Sequence, residues 1–286
     1  MPPTDNLRLA VLIDADNTSP KHAAALMEEV AKYGIPTVKR AYGDWTTPHL
    51  GGWRAKLAEH AIQSMLQVAY TTGKNSTDSA LIIDAMDLLY SNNLDAFAIV
   101  SSDSDFTRLA MRLRESGKTV YGFGLRKTPK ALVNACNRFI FLEVLGSTGG
   151  GDEPEPHATA AAEDEDESAP LPDLREILTS AIDDTSQEDG WAHLGQVGSV
   201  LGTRYATFDP RNYGFPKLIA LVRAQDYLDV EQNEGAPRVR LAPKKPKVTT
   251  RRRPAKKTAA KKADGKASTQ TSAQKTGQKS GQPAGE

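Results

Sequence analysis

The first half of the chain alternates short apolar runs with longer amphipathic ones. Leu9–Ile13, Thr37–Ala41, Leu66–Thr71, Ala96–Val100, Thr119–Phe123 and Phe139–Leu142 read as buried strands. Between them the apolar residues fall at helical spacing. Ser19-Pro20 supplies a cap and a first-turn proline, and Ala23, Leu26, Met27 and Val30 then share one face until Gly34. Pro48 to Ile62 reads as a second helix carrying Trp53, Leu57 and His60. Ser76 to Tyr90 reads as a third, with Ala80, Leu81, Ile83, Met86 and Leu89 pointing inward. Ser104–Glu115 and Pro129–Asn134 complete the set. This alternation predicts an α/β fold, an open and mostly parallel sheet with helices on both faces. The order of the strands is not legible at this level.

The pattern changes after Leu145. Residues 146–170 are rich in Gly, Pro and acids with almost no large apolar side chain, which is linker composition. Residues 171–242 regain periodicity: Leu174, Ile177, Leu178 and Ile182, then Trp191, Leu194, Val197 and Val200, then Leu218, Ile219 and Val222. Tyr227–Val230 and Arg238–Leu241 follow as two short strands. Three helices and a closing hairpin outline a small winged helix. From residue 243 onward no core pattern remains.

Composition adds one point, because the formal net charge of +0 averages two opposed segments. Residues 152–167 hold eight acids and no Lys or Arg, whereas residues 244–286 hold thirteen Lys and Arg against two acids. Blocks of this kind are normally solvated, and a basic one adds salt-dependent affinity for RNA or DNA. The single cysteine, Cys136, sits in an apolar stretch, where an inert thiol is expected. The N-terminus lacks the basic leader and long apolar run of a signal peptide, and no run is long enough to span a bilayer. A cytoplasmic or nucleoid-associated location with no membrane partner is the expectation.

The candidate chemistry lies in carboxylates at element ends. Asp14 and Asp16 follow the first strand, Asp78 opens the third helix, and Asp103 and Asp105 follow the strand Ala96–Val100. Strands of a parallel sheet open their C-termini on one edge, so Asp14 and Asp103 face one crevice if their strands are neighbours. Crowded carboxylates raise one another's pKa, and a divalent cation relieves that. Oxygen donors without His or Cys favour Mg²⁺ or Mn²⁺, which acidify water and stabilise charge on a phosphodiester. Each Asp also has a plainer explanation. Asp103 fits a helix N-cap, and Asp78 suits a helix N-terminus through the macrodipole alone. Asp84, within the third helix, is ambiguous. Lys74 could hold a phosphate as a point charge. Trp45 and Trp53, near Arg40 and Arg54, could form a stacking platform, although core packing explains them more simply. His22, His49, His60 and His193 lack metal-ligand spacing.

Three motifs in order, Ile13-Asp14-Ala15-Asp16-Asn17, Lys74-Asn75-Ser76-Thr77-Asp78 with Asp84, and Ser101-Ser102-Asp103-Ser104-Asp105-Phe106, closely resemble the NYN domain of the LabA-like branch. The resemblance spans residues 7–145, including Gly122-Phe123-Gly124. It implies a PIN-like fold, an acidic Mg²⁺ or Mn²⁺ site and ribonuclease activity. Carried over residue by residue, Asp14, Asp78, Asp103 and Asp105 would bind metal, with Asp16, Asn17, Asp84 and Ser102 in support. Asp189-Gly190-Trp191-Ala192-His193-Leu194 and the stretch Phe208 to Leu218 resemble the OST-HTH (LOTUS) domain, over residues 171–242. That family implies a module binding RNA or a protein partner. Within it, Arg211, Tyr213 and Lys217 offer cations and an aromatic face for nucleic acid. Tyr213 and Phe215 fit a small-domain core equally well.

Two other functions remain open on the sequence. Asp14-Ala15-Asp16-Asn17-Thr18 after a buried strand also fits the nucleophile motif of a HAD-like phosphatase, with Asp14 phosphorylated. An inactive RNA-binding adaptor would keep the motifs and bind without cleaving.

Overall fold

The computed structural model describes residues 7–66, 76–91, 93–146, 171–232 and 236–242, all within one compact unit spanning Met1–Pro243. Lys74, the strand residues expected after Leu66, the acidic stretch and the basic tail lie outside the described residues. No helix among the described residues is long and apolar enough to cross a membrane.

The first sheet consists of β1 (Arg8–Asp14), β2 (Ile35–Gly43), β3 (Gln63–Leu66), β4 (Ala96–Val100), β5 (Thr119–Gly124) and β6 (Arg138–Phe141). All neighbours pair in parallel, in the order β3-β2-β1-β4-β5-β6. The chain fills one side of β1, then returns to its other side with β4, so the direction of winding reverses between β1 and β4. The helices are α1 (Ala23–Val30), α2 (Trp53–Glu59), α3 (Ser76–Tyr90), α4 (Thr107–Glu115) and α5 (Lys130–Ala135).

Strand alternation divides the core into two layers. Leu9, Val11 and Ile13 face one cluster with Leu26, Val30 and Trp53. Ala10 and Leu12 face the other, with Leu81, Ala85, Phe106 and Leu109. Both faces are covered, so β4 is buried along its whole length, as its unbroken run Ala-Phe-Ala-Ile-Val requires.

Two expectations are corrected. Pro48 to Ile62 is not one helix: a 3₁₀ turn (Pro48–Gly52) precedes α2, the Gly51-Gly52 pair marking the change. Ile83 does not point inward but is 63% exposed. The buried seam of α3 is Leu81, Ala85 and Leu89, spaced by four, and a residue two beyond Leu81 falls on the opposite side. Cys136 is buried, with its thiol pushed up to about 12 by desolvation, as an inert cysteine should be.

The second domain packs α6 (Leu174–Thr185), α7 (Leu194–Arg204) and α8 (Leu218–Arg223) over an antiparallel sheet of β7 (Ala192–His193), β9 (Arg238–Leu241) and β8 (Leu228–Glu231). It meets the first domain through Arg211. That guanidinium donates two hydrogen bonds to Glu29 on α1, at 2.9 and 2.8 Å, and two to Asp209, at 3.0 and 2.7 Å. Glu29 also accepts from Lys32 and Tyr33, and Arg138 lies 3.5 Å from Asp209. Backbone contact accompanies the ion pairs, since Phe139 N–H donates to Ala206 O at 2.8 Å.

Burial alone would raise the Glu29 pKa, but the bonds from Arg211, Lys32 and Tyr33 prevail and hold it at about 2. A depressed carboxylate pKa stabilises the fold above its unfolded value near 4.5, and that contribution fades as pH falls toward about 2. Arg211→Ala, which leaves Glu29 buried without its main partner, should destabilise the protein by about 3–5 kcal/mol at pH 7. In denaturant melts the gap between Arg211→Ala and the parent should narrow between pH 4.5 and 2. An unchanged gap across that range would show that Glu29 ionisation does not support the contact.

Candidate metal centre

Register places the acids. β1 and β4 pair with Ile13 opposite Val100, so Asp14 and Ser101 emerge side by side where the winding reverses. Asp14 is 1% exposed. One of its oxygens accepts from the Asn17 backbone at 3.2 Å, and the other from Asn17 Nδ2 at 2.9 Å and Ser101 Oγ at 2.7 Å. Burial pushes its pKa up, and the Asn17 and Ser101 bonds offset that only in part.

One carboxylate oxygen from each of Asp78, Asp103 and Asp105 lies within 4.8 Å of the others, a group that does not include Asp14, whose charge nonetheless acts on Asp78. Asp78 comes from the first turn of α3. Asp103 caps the 3₁₀ turn Ser104–Phe106, accepting from Asp105 N–H at 2.9 Å. Capping and convergence therefore coexist in one side chain, because a carboxylate has about four acceptor sites. The crowding has a measurable signature. Desolvation first, then the charges of Asp14, Asp103, Asp105 and Asp16, lift the Asp78 pKa to about 6. An ion about 2.1 Å from each oxygen ligand holds opposite ligands up to about 4.2 Å apart, so this spacing needs only small side-chain adjustment to close on Mg²⁺ or Mn²⁺. The donor set, oxygen only, fits such a hard ion.

The remaining expected residues fall in several places. Asn17 clamps Asp14. Asp16 is exposed beside His49, at 3.6 Å. Ser102 Oγ accepts from Leu125 N–H at 2.8 Å and so ties the loop to the end of β5 rather than to the acids. Asp84 is taken by Arg40 and Tyr42 of β2, which makes it an anchor of α3 on the sheet. In the second domain Arg211 is committed to Glu29 and Asp209. Tyr213 donates to Pro172 O at 2.9 Å and leans its ring on Phe208, the small-domain-core role. Lys217 is exposed just ahead of α8.

Ser101 is the residue that sequence reasoning missed. It donates to Asp14 and accepts from the Asp103 backbone N–H at 3.0 Å, joining the two acidic segments. Gly124 permits this packing, because a Cβ there would lie 2.7 Å from Ser101 O. Only the pairing of β1 with β4 could have revealed it, since Ser101 and Asp14 are 87 residues apart. Two pockets open at this edge of the sheet, of which the smaller is lined in part by Asp103. One of about 260 Å³ is lined by Asn17, Asp103, Ser104 and Lys127. Another, of about 520 Å³, is lined by Trp45, Pro48 and Arg54.

The buried position of Asp14, with both oxygens held by donors, gives little room for it to act as a phosphorylated nucleophile.

Comparison with known proteins identifies a family for each domain. Residues 8–143 match the NYN domain family, which belongs to the PIN-like nuclease superfamily, and residues 168–239 match the OST-HTH/LOTUS domain family, whose members bind RNA. Among solved structures, a protein of unknown function from Vibrio parahaemolyticus is similar at 19% identity, with a TM-score of 0.42, over 49% of this chain and 96% of that one. An uncharacterized protein from Nitrosomonas europaea is similar at 28% identity, with a TM-score of 0.24, over 34% of this chain and 93% of that one. No curated protein matches. The chain is an NYN-domain protein carrying a C-terminal OST-HTH/LOTUS domain.

Proposed function

We propose that this protein is a divalent-metal-dependent ribonuclease, its second domain and basic tail helping to hold RNA. The observation that carries this reading is the convergence of Asp78, Asp103 and Asp105 within the field of the buried Asp14, at the sheet edge where an α/β fold binds its ligands. Asp78, Asp103 and Asp105 would hold Mg²⁺ or Mn²⁺, with Asp14 fixing the floor of the site and adding negative charge. When bound, the ion supplies Lewis-acid stabilisation of a phosphodiester and acidifies water beside it. Asn17 and Ser101 keep Asp14 in one orientation, and Ser101 also fixes the backbone of Asp103. Lys127, at the rim of the smaller pocket, is placed to attract a phosphate.

Labelled single-stranded RNA should be cleaved in Mn²⁺ or Mg²⁺ and left intact in EDTA. Asp103→Asn or Asp14→Asn should lower the rate by at least about 100-fold with RNA binding retained. Binding without cleavage by the parent in every divalent ion would make the protein an adaptor instead.

The acids also predict how metal and proton compete. A carboxyl raised to about 6 favours the fold below its unfolded value of 3.8, and this contribution is lost as pH rises through 6. The metal-free protein is thus under strain at pH 7 to 8. Asp78→Asn should raise its melting temperature there while abolishing the upward shift that Mn²⁺ gives the parent. Parent affinity for Mn²⁺, measured by calorimetry, should fall about tenfold per pH unit below pH 6, as one proton displaces the ion. A pH-independent affinity would count against Asp78 as a ligand.

A further inference from the structure

The larger pocket beside the acids has no role in the chemistry above. It lies at the same C-terminal edge of the sheet, beyond β2. Its wall begins two residues after that strand with Trp45, whose indole N–H donates to Met65 O of β3 at 2.9 Å. The indole is therefore fixed across two strand ends, part-buried against the core, while it lines the opening. Arg54, exposed on the first turn of α2, stands on the other wall with Pro48 and Gly51. Trp53 plays no part, being fully buried in the core.

The pocket loop packs against Asp16, two residues beyond the buried Asp14. Gly43, the last residue of β2, is packed so closely that a Cβ would lie 3.3 Å from Asp16 Oδ1 and 2.6 Å from Leu50 Cδ1. His49, on the same loop, sits 3.6 Å from Asp16. One segment, residues 43–54, thus runs from Asp16, at the end of β1, to the groove. Neighbouring strands are about 4.8 Å apart, so Trp45, which follows β2 and reaches β3, stands roughly one to two strand spacings from β1. That separation is on the scale of adjacent units of an extended polynucleotide.

We infer that the groove between Trp45 and Arg54 takes the unpaired base of a nucleotide next to the one whose phosphodiester lies on the acidic centre. This rests on the RNA reading of that centre. An immobilised indole offers a flat face for any base, and the guanidinium opposite it supplies either a stacking plane or a partner for the backbone. Recognition of this kind requires single-stranded substrate and is tolerant of sequence, because every base has a stacking face. Duplex RNA, with its bases paired and stacked, does not fit.

The test uses the full-length chain carrying Asp103→Asn, so that binding is read without cleavage, at about 0.15 M salt to subdue the basic tail. The probes are a fluorescent single-stranded oligoribonucleotide and a base-free ribose-phosphate strand of equal length. Trp45→Ala should weaken the base-bearing strand by about 5- to 100-fold and leave the base-free strand nearly unchanged. Trp45→Phe, which keeps a ring, should retain most of the affinity. Arg54→Gln should lower affinity and reduce the salt slope by about one. Equal binding of both strands by the parent, or equal loss of both in Trp45→Ala, would overturn the assignment, as would no loss at all. Because the readout is binding, a parent that fails to cleave but shows the Trp45 effect would remove the nuclease reading and leave the groove standing.

Discussion

Like charge is the constraint that organises the first domain. Asp78, Asp103 and Asp105 converge at the sheet edge within the field of a fourth aspartate, Asp14, and nothing in their own chemistry favours the meeting. It is enforced by packing. β1 and β4 are buried on both faces and pair in fixed register, so Asp14 has no freedom to withdraw. α3 is held by its Leu81-Ala85-Leu89 seam and by Asp84 on Arg40 and Tyr42, which brings Asp78 over the same spot. The core thus sustains an electrostatic penalty that a bound cation would turn into affinity, the usual arrangement where binding rather than stability is being served.

The second domain answers the same question of charge in the opposite way. Glu29, Arg211, Asp209 and Arg138 are also largely withdrawn from water, but they alternate in sign, and each carboxylate there meets cations. Such a network adds little net stability over an apolar contact, yet it admits only one docking geometry, because any displacement strands a buried charge. The second domain is therefore held in a defined pose against α1 and β6.

Much of this was legible in the chain because local rules decide it. Buried strands announce themselves by unbroken apolar runs, and aspartates immediately after such runs land at the edge where parallel sheets bind ligands. Asp14, Asp103 and Asp105 could be singled out on that ground, and Asp78 by its place in the first turn of a helix. Ser101 could not, since its role depends on which strands are neighbours, a matter settled by the pairing of segments far apart in sequence. Arg211 shows the reverse error. An arginine beside an aromatic in a small domain suggests nucleic acid, but no periodicity discloses that another domain's glutamate waits opposite it. Ile83 illustrates a third limit: with six apolar residues among eight on α3, from Ala80 to Asp87, the sequence allows several seams, and only packing selects one.

The hydrogen bond from Phe139 to Ala206 carries a consequence for the sheet itself. β6 is the outermost strand on its side, and a free strand edge of Phe-Ile-Phe composition is an invitation to pair with another molecule. Here a segment of the winged helix occupies part of that edge. The smaller domain therefore shields part of an edge that would otherwise be open to strand pairing.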